Sequence, residues 1–307
     1  MSNFEKFVLK LIETSLNLLG LIPRPWAVRL GNFIGEVLFL TAGKHRQIAL
    51  NNLTQAFGHE KNPHEIRMLG KQVFKNLGQI LFEIGWSLRL KPQDFHKHFR
   101  IQGLHNLEAA FEKGKGVLGL TTHMGNWELL PVIPVMTGGY PVSTLYRPLD
   151  FSPLNQFFIK NRSRFGMKMI PNTRAALSIL RRLKKGEMVT MLMDQNVDWY
   201  EGVFVDFFGK RACTNKGMAF LALRTRTPVV PGFLVREREG FLMEYGPEIP
   251  LIETGDLTKD VEEMTRQYNI VIENFIRRYP EQWFWVHQRW KTRPYYPWPQ
   301  KKINEKT

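Results

Sequence analysis

The feature that most constrains this chain is a change of period along it. From Pro63 to Leu90 apolar residues recur at helical spacing (Ile66, Leu69, Val73, Phe74, Leu77, Ile80, Leu81, Ile84), so the first third is predicted to be mostly helical. Beyond it, short apolar runs alternate with helical stretches: GVLGLTTH, PVSTLYRP, MKMIP, MVTMLMD, VVPGFLVRE and FLMEYGP. Strands alternating with helices predict an α/β fold, a largely parallel central sheet flanked by helices, behind a helical N-terminal layer. The 307 residues contain no repeat, low-complexity tract or long linker, and they are ample for one large domain with a real core. The expected organisation is an amphipathic helix over residues 1–22 and a single α/β domain over 23–307.

Residues 1–22 are amphipathic. At about 100° per residue, Phe4, Phe7, Val8, Leu11, Ile12, Leu18 and Leu19 share one broad face, opposite Lys6, Lys10, Glu13 and Asn17. Gly20, Pro23 and Pro25 stop the helix. The charges at Glu5, Lys6, Lys10 and Glu13 break the apolar run that a signal peptide requires. The next apolar stretch is interrupted by Arg29 and Glu36, so neither has the roughly 20 uncharged residues needed to span a bilayer. Such a segment lies on a membrane or packs as an ordinary amphipathic helix on the domain.

Charge narrows the partners. Lys and Arg number 43 against 28 Asp and Glu, a net +15, which implies an anionic partner: nucleic acid, an anionic membrane surface, a phosphorylated substrate or an acidic protein. Part of the excess lies between Arg277 and Thr307, where eight Lys/Arg face two acids and interleave with Trp283, Trp285, Trp290, Tyr295, Tyr296 and Trp298. Aromatic rings and cations together suit a membrane interface. The same mixture could stack bases and track phosphates in single-stranded nucleic acid, but that reading leaves the histidine block described below unexplained. The single cysteine, Cys213, rules out an internal disulfide and a multi-thiolate metal site.

Several familiar motifs fail on context. Gly114-Lys-Gly116-Val-Leu-Gly119 matches G-x-G-x-x-G, but a helix precedes it and the last glycine falls inside a strand candidate, the reverse of the order a dinucleotide fingerprint needs. Neither G-x-x-x-x-G-K-[ST] nor G-x-S-x-G is present, which removes the usual P-loop and hydrolase-elbow readings. His96 and His98 stand in the polar stretch DFHKHF and lack zinc-helix spacing, so no metal or cofactor is expected.

The block that carries chemistry is Thr122-His123-Met124-Gly125-Asn126-Trp127-Glu128. Among the eight histidines only His123 has an acid five positions later. It ends the apolar run GVLGLTT, at the strand terminus where open α/β sheets bind ligands. Gly125-Asn126 signals a turn followed by a helix, with Asn126 as its N-cap. On one continuous helix His123 and Glu128 would diverge by about 140°. A turn at Met124-Gly125 would let Glu128 reach back, fix the tautomer and leave the other ring nitrogen as a general base for a substrate hydroxyl. Asp194 and Gln195 end another run, MVTMLMD, and belong on the same sheet edge.

The phrase TTHMGNWELLP resembles the His-x-x-x-x-acid signature of the lysophospholipid acyltransferase superfamily, and the chain as a whole resembles the bacterial late lipid A biosynthesis acyltransferases. RQIALNNLTQAFG, the YRP around Arg147, NRSRFGMKMIP around Arg164, Asp194-Gln195, GVFVDFFGK, TNKGMAFLALRTRTPVVP and PEQWFWVHQRWKTRP carry that resemblance nearly end to end. One departure is that the acid here is Glu128, where the wider superfamily more often has Asp. The resemblance implies transfer of a fatty acyl chain from acyl carrier protein to a hydroxyl of a lipid A precursor, without a cofactor or metal, at the cytoplasmic face of the inner membrane. It makes His123 the base and Glu128 its orienting partner, with Arg147 and Arg164 as candidates for stabilising charge or binding phosphate. Asn126, Asp194 and Gln195 are expected to contact substrate or support the site. A glycerophospholipid or another glycolipid is the alternative acceptor, and nucleic acid is not an expected partner.

Overall fold

The chain opens with four long helices: α1 (Asn3–Leu19), α2 (Arg24–Thr41), α3 (Gly43–Phe57) and α4 (Pro63–Ser87). They form the helical layer that the spacing predicts, in a computed structural model that describes residues 1–294. Capping boxes set two of the starts. Ser2 and Asn62 each accept from the N–H of the Glu three residues on, and that Glu accepts from the cap's own N–H, which satisfies two otherwise orphaned donors per helix.

The layer is held by close backbone approach. A Cβ on Gly78 of α4 would lie 2.1 Å from the carbonyl oxygen of Gly31 on α2, so only glycine allows the two helices to meet at this distance. Helix α1 divides its apolar residues between two tasks. Ile12, Leu16 and Leu19 pack with Ile84 and Phe157, while Phe4, Phe7, Leu11 and Leu18 stay exposed, as do Trp26, Phe33 and Leu40 of α2. No helix among the described residues is long and apolar enough to cross a membrane.

The rest alternates strand and helix. In chain order it runs α5 (Phe95–His98), β1 (Phe99–Gln102), α6 (Leu104–Glu112), β2 (Val117–Thr121), a 3-10 helix (Trp127–Val132), α7 (Ile133–Met136), β3 (Val142–Tyr146), α8 (Ser152–Ser163), β4 (Lys168–Pro171), α9 (Ala176–Leu183) and β5 (Met188–Leu192). A hairpin, β6 (Gly202–Phe207) and β7 (Lys210–Asn215), follows, then α10 (Gly217–Thr225), β8 (Val229–Glu237), β9 (Gly240–Tyr245) and α11 (Leu257–Arg278). The main sheet has the order β1-β9-β8-β2-β5-β3-β4. Strands β8, β2, β5, β3 and β4 are mutually parallel, and β9 turns back antiparallel beside β8. Each quoted apolar run is a strand of this sheet. Every residue of β2 is buried, with Leu118 and Leu120 in one core cluster and Val117 in another, as a central parallel strand covered on both faces requires.

Two local features depart from the sequence reading. The β6–β7 hairpin turns at Phe208 and Gly209, with φ of 51° and 68°. Positive φ at both positions is the pattern normally signalled by Asn-Gly, and a phenylalanine in the first place concealed it. Second, Trp283 and Trp285 are 1% and 0% exposed and Arg289 is 0% exposed, so these residues belong to the core and not to a membrane interface. Trp283 and Trp285 stack edge to face at 4.6 Å, and Arg289 donates to the Cys213 carbonyl at 2.8 Å. Tyr295, Tyr296 and Trp298 lie outside the described residues.

Candidate active site

Register brings the site together. β2 and β5 are adjacent and parallel, with Thr121 opposite Leu192, and Met193 N–H extends the ladder to the Thr121 carbonyl at 3.0 Å. Two residues past each strand end stand His123 and Asp194, side by side at the carboxyl edge of the sheet. His123 Nδ1 lies 2.8 Å from Asp194 Oδ1, and the His123 backbone N–H donates to Oδ2 at 3.0 Å. Trp283 Nε1 donates to the same Oδ2 at 2.7 Å.

Asp194 is 2% exposed. Burial alone pushes its carboxyl pKa up, but the His123 imidazole and the hydrogen bonds from His123 and Trp283 outweigh that, and the net shift is downward. A carboxylate accepting at Nδ1 fixes the neutral imidazole with its proton there and its lone pair on Nε2. Gln195 Nε2 sits 3.3 Å from that nitrogen. The rings of Trp127 and Phe284 flank the imidazole at 5.1 and 6.1 Å.

The turn after His123 is built as the sequence suggests. Gly125 has φ of 54°, and a Cβ there would lie 2.8 Å from the Leu234 carbonyl oxygen, so glycine is required on both counts. Asn126 caps the following helix, its Oδ1 accepting from Glu128 N–H at 3.1 Å and its Nδ2 donating to Glu83 at 3.0 Å. Asn126 is fully buried and acts as a support for the turn.

Glu128 does not partner His123. Its carboxylate is gripped by Arg162 of α8 in a bidentate pair, Nε to Oε2 at 2.8 Å and Nη2 to Oε1 at 2.6 Å, and it is 6% exposed. The expected reach-back assumed an α-helical first turn. The segment instead winds as a 3-10 helix, about 120° per residue, and a guanidinium is a stronger partner for a buried carboxylate than a neutral imidazole. The acid that faces the imidazole is Asp194, two residues past the end of β5.

The other sequence candidates divide. Arg164 caps the end of α4, Nη1 donating to the Ser87 carbonyl at 2.9 Å and Nη2 to those of Leu88 and Leu90 at 3.0 and 3.2 Å. Its guanidinium is committed to structure, and it is Arg162, two residues earlier, that borders the cleft beside His123. Arg147, just past β3, is an exposed cation at the cleft wall and has no hydrogen bond or ion pair among the described residues. The cleft measures about 980 Å³. Leu130, Pro131, Leu145, Met167 and Met191 give it an apolar wall, while Lys44, Arg147, Arg162 and Lys291 bring positive charge.

A profile of the family described as bacterial lipid A biosynthesis acyltransferase matches residues 5–292. The chain belongs to that family. A lipid A biosynthesis acyltransferase of Haemophilus influenzae is 29% identical over 268 residues, covering 86% of this chain and 80% of the relative. The lipid A biosynthesis palmitoleoyltransferase of Escherichia coli is 28% identical, covering 89% and 87%, and the lauroyltransferase of the same organism is 26% identical, covering 89% and 88%.

For a lipid A acyltransferase the cleft has suitable chemistry: a histidine paired with a buried carboxylate, an apolar wall and cationic side chains. Three residues at the site were not assigned to it from sequence. Arg162 stands two places before the arginine chosen in NRSRFG, a choice that spacing alone cannot make. Trp283 and His287 lie within PEQWFWVHQRW, but only the folded chain shows them meeting Asp194 and Asn196.

Proposed function

We propose that this protein transfers a fatty acyl chain from the thioester of acyl carrier protein to a hydroxyl of a lipid A precursor, with His123 as general base and Asp194 as its partner. The observation that carries the reading is the His123–Asp194 contact at 2.8 Å, in a cleft of about 980 Å³ that holds both apolar and cationic walls. The acceptor hydroxyl gives its proton to Nε2 of His123 as its oxygen bonds to the thioester carbon. The carbonyl electrons move onto oxygen, the tetrahedral species collapses with cleavage of the C–S bond, and the imidazolium proton goes to the departing thiolate. Asp194 stabilises the imidazolium while it exists.

Arg147 and Arg162 would meet anionic groups of the two substrates, with Glu128 holding Arg162 in place. The apolar wall around Leu130, Leu145 and Met191 would take the acyl chain. The exposed apolar residues of α1 and α2, from Phe4 to Leu40, would rest on the cytoplasmic face of the inner membrane, whose anionic lipids suit a chain of net charge +15. Replacing Phe7, Leu11 and Phe33 with Glu should then abolish sedimentation with anionic vesicles.

The test is transfer from lauroyl- or myristoyl-acyl carrier protein to a purified lipid A precursor, comparing the wild type with His123→Ala. Loss of transfer in the folded variant supports the reading. Turnover of lysophosphatidic acid with none of the lipid A precursor would reassign the acceptor, and transfer from acyl-CoA alone would reassign the donor.

A further inference from the structure

A second histidine is anchored on the same segment as the first. Asp194 holds His123, and two residues on, the Asn196 backbone N–H donates to Nε2 of His287 at 2.9 Å. Both histidines line the cleft, with Gln195 between their anchors. A backbone N–H can only donate, so Nε2 of His287 must accept and the neutral ring carries its proton on Nδ1. That nitrogen has no hydrogen-bond partner among the described residues and is not among the enclosed unpartnered atoms, so it remains open to solvent.

The ring is fixed in place. The His287 carbonyl accepts from the buried side chain of Asn52 at 2.7 Å, as does that of Trp285, and the Phe284 N–H donates to the His123 carbonyl at 3.1 Å. One strap of backbone therefore sets His287 relative to His123. Burial lowers the His287 pKa to about 4, so the ring stays uncharged near neutrality. A neutral donor of fixed tautomer, with no acceptor among the described residues and lining the same cleft as His123, suits an oxygen that gains negative charge during reaction.

We infer that His287 is a second catalytic residue whose Nδ1–H donates to the carbonyl oxygen of the acyl thioester as it becomes the tetrahedral oxyanion. The inference rests on the acyl-transfer reading above and extends it. No bond forms to His287 and its proton is not transferred.

Two isosteric substitutions separate this role from a structural one. His287→Gln can place an oxygen at the Nε2 position, keeping the Asn196 contact and losing the donor. His287→Asn can place an amide N–H at the Nδ1 position, keeping the donor and losing the Asn196 contact. With acyl-acyl carrier protein and a lipid A precursor, H287Q should lose about 10²–10³-fold in kcat with little change in KM, and H287N should remain well above it. Thermal unfolding of each variant confirms that it is folded. An H287Q enzyme within about threefold of wild type overturns the inference, as does an H287N enzyme no better than H287Q. A wild-type protein that transfers no acyl chain to any hydroxyl acceptor refutes the underlying activity as well, so the two failures are told apart by the wild-type arm.

Discussion

Replacing Asp194 by Asn changes a single heavy atom and should disable the general base proposed at His123. Oδ2 accepts from two N–H groups, the His123 backbone and the Trp283 indole, while Oδ1 faces Nδ1 of His123 alone. An amide nitrogen placed at Oδ2 would oppose both donors and leave them unsatisfied in a buried site, at about 1–3 kcal/mol each. The amide should therefore turn its oxygen to those donors and its NH2 to the imidazole. Nδ1 must then accept, the ring proton moves to Nε2, and the lone pair that receives the hydroxyl proton is lost, together with the negative charge that stabilises the imidazolium. General-base assistance and imidazolium stabilisation are together worth about 10²–10⁴-fold, or ~3–5 kcal/mol in the barrier. Steady-state acyl transfer should show that loss in kcat, with KM for the acyl donor little changed because Asp194 is buried behind His123. Asp194→Asn with a kcat within about threefold of wild type, alongside a large loss in Glu128→Gln, would refute the argument and return the pairing to Glu128.

Other consequences are equally open to measurement. Arg164→Ala should lower stability by about 2–3 kcal/mol, since it removes charge-assisted hydrogen bonds to the carbonyls that end α4. It should leave kcat near wild type, whereas Arg147→Ala should raise KM for an anionic substrate without moving Tm; the opposite assignment of effects would show that Arg164 serves the cleft. Gly78→Ala gains helix propensity of about 1 kcal/mol but drives a Cβ toward the Gly31 carbonyl, so net destabilisation of about 1–3 kcal/mol is expected in urea titrations, and a more stable variant would contradict the backbone-to-backbone contact. Burial lowers the folded pKa of His287 to about 4 from the ordinary histidine value of 6.5. The unfolded chain therefore binds a proton that the folded one refuses between those values. Stability should be unaffected by this group above about pH 6.5 and fall by ~2–3 kcal/mol on going to pH 4, allowing for partial solvent exposure. Urea midpoints that decline equally steeply in His287→Gln would assign the slope elsewhere.

Much of the architecture can be read from periodicity, because a buried parallel strand and an amphipathic helix leave distinct marks on a sequence. The runs ending at Thr121 and Leu192 identify two strands and put His123 and Asp194 on one edge. What a one-dimensional pattern lacks is register between strands distant in sequence. The pairing of Thr121 with Leu192 gave His123 its carboxylate from residue 194, although Glu128 was nearer along the chain. Local winding mattered in the same way: a 3-10 turn after Asn126 aimed Glu128 at α8, and no composition rule distinguishes it from an α-helical turn. Arg162 and Arg164 look equivalent in NRSRFG, yet one faces the cleft and the other the end of a helix. The aromatic residues of PEQWFW suggested an interface because aromatic content does not show whether a ring is covered.

The strap that supplies Trp283, Phe284 and His287 also sets a timetable. Its backbone pairs with Met124 and Gly125, with Gln282 carbonyl accepting from Gly125 N–H at 3.0 Å, across a long interval of sequence. During synthesis the sheet edge bearing His123 and Asp194 leaves the ribosome well before Trp283 can close over it. Until then Asp194 lacks its indole donor, His123 lacks the Phe284 wall, and Asn196 N–H has no imidazole to meet. A nascent chain is therefore a scaffold without an assembled centre, and acyl donors that it meets on the ribosome should be left untouched.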